Sequence, residues 1–398
     1  MPGELPGRPL RLAVLANFDS PHAWRWIKVF IARGHDVHAI SYYPPGRELP
    51  GAVVHALASS ERGPAGARGE GGPVRRAASR IPPSLMRLAN ALRFRRAGLS
   101  RLLAEIKPDL LHAHYVVEHG FYAAMSGFEP LVLSAWGSDL YNAPRTPAGA
   151  AIARYALRRA ALVTGNDPAL VREAVHLGVP AERAAVIRLG LDRDWLDAPL
   201  LSVNAGRDSS PPTVASTRAL EPLYNIDVVL RAFALLRRRL PSARLVVAND
   251  GSQRPRLERL AAGLGLGFSV SFIGQASQAR LRELLNASHV YVSVPSSDSF
   301  PLSTMEAMTA GAFPVVSDLP SQDGWITHGV NGLRVPVRDI DALATSLHLA
   351  LTDDVLRRGA VEPNRERVRQ QGDLERNMLL MERHYYRVAG HPLAEGAI

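Results

Sequence analysis

The 398-residue chain contains no cysteine. That excludes disulfide scaffolds, zinc ribbons, iron–sulfur clusters and thiol nucleophiles, and it is compatible with a reducing, cytoplasmic setting. Lysine is nearly absent as well. Lys28 and Lys107 are the two lysines, so 45 of the 47 basic residues are arginines, the usage of a GC-rich genome. No window holds 18 uninterrupted apolar residues, which argues against a transmembrane helix. The first twenty residues lack a basic stretch followed by a long apolar one, so no secretory signal is expected. What is present is a chain 46% hydrophobic and 6% aromatic, long enough to bury the cores of two or three domains.

The net charge of +10 is uneven. Residues 1–200 carry 25 basic and 17 acidic groups; residues 201–398 carry 22 and 20. Segment 62–101 holds ten arginines against Glu70. Such a patch suits an anionic partner. No nucleic-acid-binding motif accompanies it, so no nucleic acid is expected.

Residues 10–16 read as a buried strand, 23–33 as an amphipathic helix closed by Gly34, and 36–41 as a second strand. This βαβ opening implies a parallel sheet with helices on both faces. Residues 59–83 are rich in Gly, Pro, Ser and Arg and read as a mobile loop. Residues 85–106 read as a basic amphipathic helix with Leu85, Leu88, Leu92, Leu99, Leu102 and Leu103 among its apolar positions. Strands at 109–114, 131–135 and 161–164 and helices at 148–157 and 167–177 follow. The pattern breaks over 191–212 and restarts as strands at 213–216, 244–248, 269–273, 290–294 and 313–317, interleaved with helices at 225–239, 254–264, 278–287, 304–309 and 339–351. These spacings predict an α/β protein of two doubly wound, Rossmann-like domains: residues 1–198, residues 199–373, and a last helix and tail, 374–398, free to pack back on the first domain. In such sheets ligands bind outside the carboxyl ends of the strands.

The most informative stretch is Ser296–Gly311, S-S-D-S-F-P-L-S-T-M-E-A-M-T-A-G, which follows a strand and opens a helix. Backbone N–H groups at such a helix start can bind phosphate. Asp298 and Glu306 can both accept paired hydrogen bonds from sugar hydroxyls. Ser303-x-x-Glu306 also fits a capping box, a purely structural alternative. In the first half, H-A-H-Y at 112–115 ends a strand, with both histidines on one side of it. A metal is conceivable there, but no third ligand is spaced near enough. The Asp-x-Asp pairs Asp192/Asp194 and Asp339/Asp341 read as structural, the second as a helix cap. No G-x-G-x-x-G follows the first strand, which disfavours a nicotinamide dehydrogenase.

Asp298-x7-Glu306, E-A-M-T-A-G at 306–311, L-R-E-L-L-N-A-S at 281–288, P-V-V-S-D at 314–318 and H-G-V-N-G-L at 328–333 resemble glycosyltransferase family four, retaining nucleotide-sugar enzymes of the GT-B fold, over about residues 10–386. The resemblance implies two Rossmann-like domains facing across a cleft, with the donor on the second and the acceptor on the first. It implies transfer of a sugar from a nucleotide-diphosphate-sugar to a hydroxyl acceptor with retention, in polysaccharide or glycolipid synthesis. The alternatives are a GT-B-shaped sugar-nucleotide epimerase and a non-catalytic sugar-nucleotide or membrane-surface binding protein. The partners implied are the donor and a sugar, glycolipid or polysaccharide acceptor; no cofactor or metal is required.

Carried onto this chain, the resemblance gives Glu306 the ribose hydroxyls and Asp298 the donor sugar. Phe300, Pro301, Leu302 and Ser303 meet the sugar and diphosphate, and Gly251 in Asn249-Asp250-Gly251 is the glycine turn near the nucleotide. His114 is the strand-end histidine near the transferred sugar. Trp136 and Asp139 in W-G-S-D line the cleft, while Asn17–His22 replaces the glycine-rich first loop common in the family, where His22 either faces the acceptor or serves the start of the helix. The chain departs from the family at Asp298, one methylene shorter than Glu, and at Pro301, where many members have glycine. Ala219 and Tyr224 occupy the places of the diphosphate-holding Arg and Lys, with Arg218 the neighbouring substitute. The arginine-rich segment 62–101 suits peripheral contact with an anionic membrane on its cytoplasmic face; the alternative is a solvated, arginine-rich surface helix packed on its own sheet.

Overall fold

A computed structural model describes residues 7–57, 96–142, 145–200, 210–298 and 301–391. The expected mobile loop 59–83, helix residues 85–95 with Arg87, Arg93 and Arg95, Phe300 and the tail beyond 391 lie outside them.

The chain divides into two units. The first comprises Met1–Ile187 and Met378–Ile398, the second Arg188–Asn377. The first contains a seven-stranded sheet: β1 (Arg11–Leu15), β2 (Asp36–Ser41), β3 (Val53–Ala56), β4 (Leu110–His114), β5 (Leu131–Ala135), β6 (Leu162–Gly165) and β7 (Ala184–Val186). They run parallel in the order β3-β2-β1-β4-β5-β6-β7. Every residue of β4, β5 and β6 is buried. That is why these segments read as near-continuous apolar runs: helices cover both faces of a parallel sheet.

The second unit contains β8 (Thr213–Ser216), β9 (Arg244–Ala248), β10 (Val270–Gly274), β11 (Val290–Ser293), β12 (Phe313–Ser317) and β13 (Leu333–Val335), parallel in the order β10-β9-β8-β11-β12-β13. Both sheets are doubly wound α/β sheets. Their strand order reverses between β1 and β4 in the first unit and between β8 and β11 in the second, which marks the switch points where such sheets bind ligands.

The boundary falls at 187/188, earlier than the break in pattern at 191–212 placed it. Backbone pairing explains the shift. Leu191 N–H donates to Gly372 O at 2.6 Å and Leu374 N–H to Leu191 O at 3.0 Å. Trp195 Nε1 donates to Gln278 at 2.9 Å, and Arg365 Nη2 to Ala198 O at 3.1 Å. The connecting segment is therefore part of the second unit.

The C-terminal helix, Leu374–Val388, returns the chain to the first unit. There Glu382 accepts from Arg33 Nε and Nη2, at 2.6 and 2.8 Å, and meets His35 Nε2 at 2.8 Å. Leu10 N–H donates to His35 Nδ1 at 3.0 Å, so Nε2 carries the ring proton. Tyr386 donates to Arg8 O at 2.7 Å.

The helix over 96–106 buries Leu99, Leu103 and Ile106 in the first unit's core and leaves Arg96 and Arg101 exposed. Over this stretch the apolar stripe is occupied by the protein's own sheet, so the part of the expected membrane-binding helix that is described has no free apolar face. Among the described residues no helix is long and apolar enough to cross a membrane.

Candidate active site

The second unit's switch point brings together residues from three separate stretches. Arg218 follows β8 and Asp298 follows β11, and their side chains pair at 3.1 Å. Arg218 Nη1 also donates to Ser303 Oγ at 2.9 Å, and its guanidinium lies 4.3 Å above the Tyr224 ring. Burial opposes the charge on Arg218. Asp298, with Tyr291 and Tyr224, outweighs burial and holds the guanidinium protonated more firmly than in water. Tyr224 stands where the family's lysine is expected; here it is the platform on which the substitute cation rests.

The helix that follows is Leu302–Thr309, with Pro301 at its N-cap and no side-chain cap. This rules out the capping box. Ser303 lies inside the first turn rather than before it, and its hydroxyl accepts from Arg218 and, at 2.7 Å, from Tyr291. Glu306 is 6% exposed. A carboxylate placed there is costly unless something polar meets it, and capping this helix is not its role.

Gly251 belongs to a turn clipped against the loop that bears Arg218. Leu220 N–H donates to Asp250 O at 3.0 Å, and Gln253 N–H to Leu220 O at 2.8 Å. Ser252 N–H donates to Glu221 Oε1 at 2.7 Å. A Cβ on Gly251 would stand 2.6 Å from Leu220 O and 2.8 Å from Glu221 Oε1. Gly251→Ala is expected to destabilise the second unit by at least about 1 kcal/mol, the cost of overpacking against backbone. Thermal unfolding checks this, and an unchanged midpoint would show that the turn is slack.

In the first unit His114 ends β4, 4% exposed, and neither ring nitrogen has a hydrogen-bond partner among the described residues. Its ring packs against Trp26 and Trp136, each 5.2 Å away, and His112 at 4.6 Å. Burial first, then His112, His119 and His22, push its protonation far below the usual histidine range. The ring is therefore neutral at physiological pH, with one nitrogen to donate and one to accept. His22 stacks on Trp136 at 5.6 Å, which brings His22, Trp136 and His114 into one aromatic group.

His112 is satisfied on both sides, by Tyr385 Oη at 2.6 Å and Ser134 Oγ at 2.8 Å, and burial lowers its pKa to about 3. Asp139 corrects the expectation of a cleft-lining residue. It has no exposed surface and accepts from the N–H groups of Val116 at 2.8 Å, Trp136 at 3.0 Å and Gly137 at 2.8 Å. Burial raises its pKa and these N–H groups oppose the rise. It shapes the turn beneath Trp136. Asp339 caps its helix through Ala342 N–H, at 2.9 Å.

The cluster of Arg218, Asp298 and Ser303 ahead of a buried Glu306 lies at the switch point of a doubly wound sheet, and a second such sheet carries the neutral His114. This is the two-domain α/β architecture of the GT-B fold.

Residues 11–167 match the family model "Glycosyl transferase 4-like" and residues 199–372 the model "Glycosyl transferases group 1". Both halves of the chain thus match glycosyl transferase family models. It is 31% identical, over 63% of its length, to a D-inositol 3-phosphate glycosyltransferase of Mycolicibacterium paratuberculosis, and 32% identical, over 49%, to an exopolysaccharide phosphotransferase of Streptomyces coelicolor. It spans 61% of the first of these relatives and 22% of the second. HepE from Anabaena, solved in complex with UDP, has the same fold, with a TM-score of 0.74 at 18% identity over 95% of this chain and 100% of that one.

Proposed function

We propose that the chain transfers a sugar from a nucleotide-diphosphate donor to a hydroxyl of a sugar, glycolipid or polysaccharide, with retention at the anomeric carbon. The observation that carries this reading is the Arg218–Asp298–Ser303 cluster at the head of the helix bearing buried Glu306. Arg218 and the first N–H groups of that helix meet the diphosphate. Asp298 takes sugar hydroxyls and Glu306 takes the ribose. In the reaction the acceptor oxygen bonds to the anomeric carbon while the bond to the diphosphate oxygen breaks. The electron pair and the acceptor's proton leave with the nucleoside diphosphate. Charge growing on that leaving group is stabilised by the fixed guanidinium. The first unit supplies neutral groups for hydroxyls, His114 among them.

The HepE complex with UDP makes UDP-sugars the first donors to try. Incubation of the purified chain with UDP-glucose and polyol acceptors is expected to release UDP and form a glycoside. His114→Ala is expected to lower turnover about tenfold, the loss of one buried hydrogen bond, with donor affinity within about twofold of the parent. Near-normal turnover in that variant would remove His114 from the site.

A further inference from the structure

Two diagonal rows of side chains cross β4, β5 and β6 on one face. The lower row is a closed hydrogen-bond chain. Trp26 Nε1 donates to Tyr385 Oη at 3.0 Å, Tyr385 Oη meets His112 Nδ1, and His112 Nε2 meets Ser134 Oγ. Ser134 Oγ meets Thr164 Oγ1 at 2.6 Å. The next row up is His114, the last residue of β4, with Trp136 and Asn166, the residues that follow β5 and β6. His114 lies on the face of His112 by the two-residue alternation of strands, and Trp136 meets its ring at 5.2 Å. A Cβ on Gly165 would meet Val171 and Leu170 at 3.1 and 3.4 Å, so that position faces the helix Pro168–His176. Thr164, the residue before it, projects from the opposite face, toward Ser134.

The rows differ in one respect. Below, polar groups are paired. Above, both nitrogens of His114 and Nδ2 of Asn166 are buried without a hydrogen-bond partner among the described residues, in side chains 4% and 2% exposed. Buried polar atoms are rarely left so. We propose that Asn166 and His114 together form a sugar-hydroxyl subsite, with Trp136 between them as its aromatic floor. The two anchors stand at the ends of strands two spacings apart, about 10 Å, so one ring with a hydrogen bond at either side bridges them. Neutral donors and acceptors suit hydroxyls rather than a phosphate. The lower row keeps the histidine beneath from rotating and holds the platform fixed. The assignment of Asn166 rests on the transferase reading and adds to it a residue that selects the sugar.

The test uses the full chain and two variants, Asn166→Ala and Asn166→Leu, the second keeping about the same volume while removing the amide's polar atoms. Calorimetry is run with UDP, with UDP-glucose, and with myo-inositol or methyl α-glucoside in the presence of UDP. Sugar affinity is expected to fall about tenfold in both variants, with UDP affinity and melting temperature unchanged. A loss confined to UDP-glucose relative to UDP assigns the subsite to the donor's ring; a loss confined to the free polyols assigns it to the acceptor. Variants that bind every sugar as the parent does would overturn the subsite alone. So would a lower melting temperature with uniform weakening of UDP as well, the behaviour of a purely structural amide. A parent chain that binds none of these ligands would overturn both the subsite and the transferase reading.

Discussion

Glu382→Ala is expected to cost the first unit about 3–5 kcal/mol, the usual price of removing one member of a buried ion pair. Glu382 is 1% exposed, Arg33 is 9% exposed, and the carboxylate carries two guanidinium bonds and one from His35. Removing it takes away the carboxylate that neutralises a buried cation, and a loss of that size is a large part of a typical domain's stability. The double variant Arg33→Met with Glu382→Leu is expected to recover most of the loss, because an apolar pair of similar volume needs no desolvation. Burial pushes the Glu382 pKa up, but His35 and Arg33 outweigh it and hold the carboxyl below its ordinary value. A depressed folded pKa adds stability above the unfolded value of about 4.3, lost as pH falls through the lower folded one. Chemical denaturation of the single and double variants at neutral and acid pH checks this. A loss below about 1 kcal/mol would mean that the C-terminal helix is held by its tyrosines alone.

Glu306→Gln is expected to weaken donor binding by about 1.5–3 kcal/mol, the range for hydrogen bonds to a charged group, or roughly 10- to 150-fold in Kd. Gln keeps the length and one acceptor but loses the charge. Because Pro301, not Ser303, is the helix N-cap, the substitution removes no capping bond, and the melting temperature of the unliganded chain is expected to hold. Calorimetry with UDP-glucose reads the affinity. Unchanged affinity with a lower melting temperature would move Glu306 from ligand binding to helix stability.

The central strands of both sheets were legible in the sequence because burial on both faces forces long apolar runs, as in R-L-A-V-L at 11–15 and F-P-V-V-S at 313–317. Of the edge strands, β10 was legible at 269–273 and the other three were not. β3, β7 and β13 are only three or four residues long, and β3 and β7 hold no buried residue, so they carry no such run. The helix Asp354–Gln371 was missed as well: it is strongly charged and holds Pro363 in its interior, both of which mask helical periodicity.

At the site, Arg218, Asp298, Ser303 and Glu306 could be named because they cluster around a recognisable loop and helix. Tyr291 could not. It sits mid-strand in V-Y-V-S and reads as core; only the fold shows its hydroxyl on Ser303. Asn166 and Tyr385 had no local signal. One is a single amide after a short strand, and the other meets His112 across 273 residues of chain. Asp139 misled because a motif can mark a turn's internal support as readily as its surface.

The most direct measurement is a proton NMR time course of the purified chain with UDP-glucose and a polyol or sugar acceptor, repeated with GDP- and ADP-sugars. The account predicts release of the nucleoside diphosphate from one of these donors and a new anomeric signal with the α configuration of the donor. No release from any donor, or a product of inverted configuration, would contradict it.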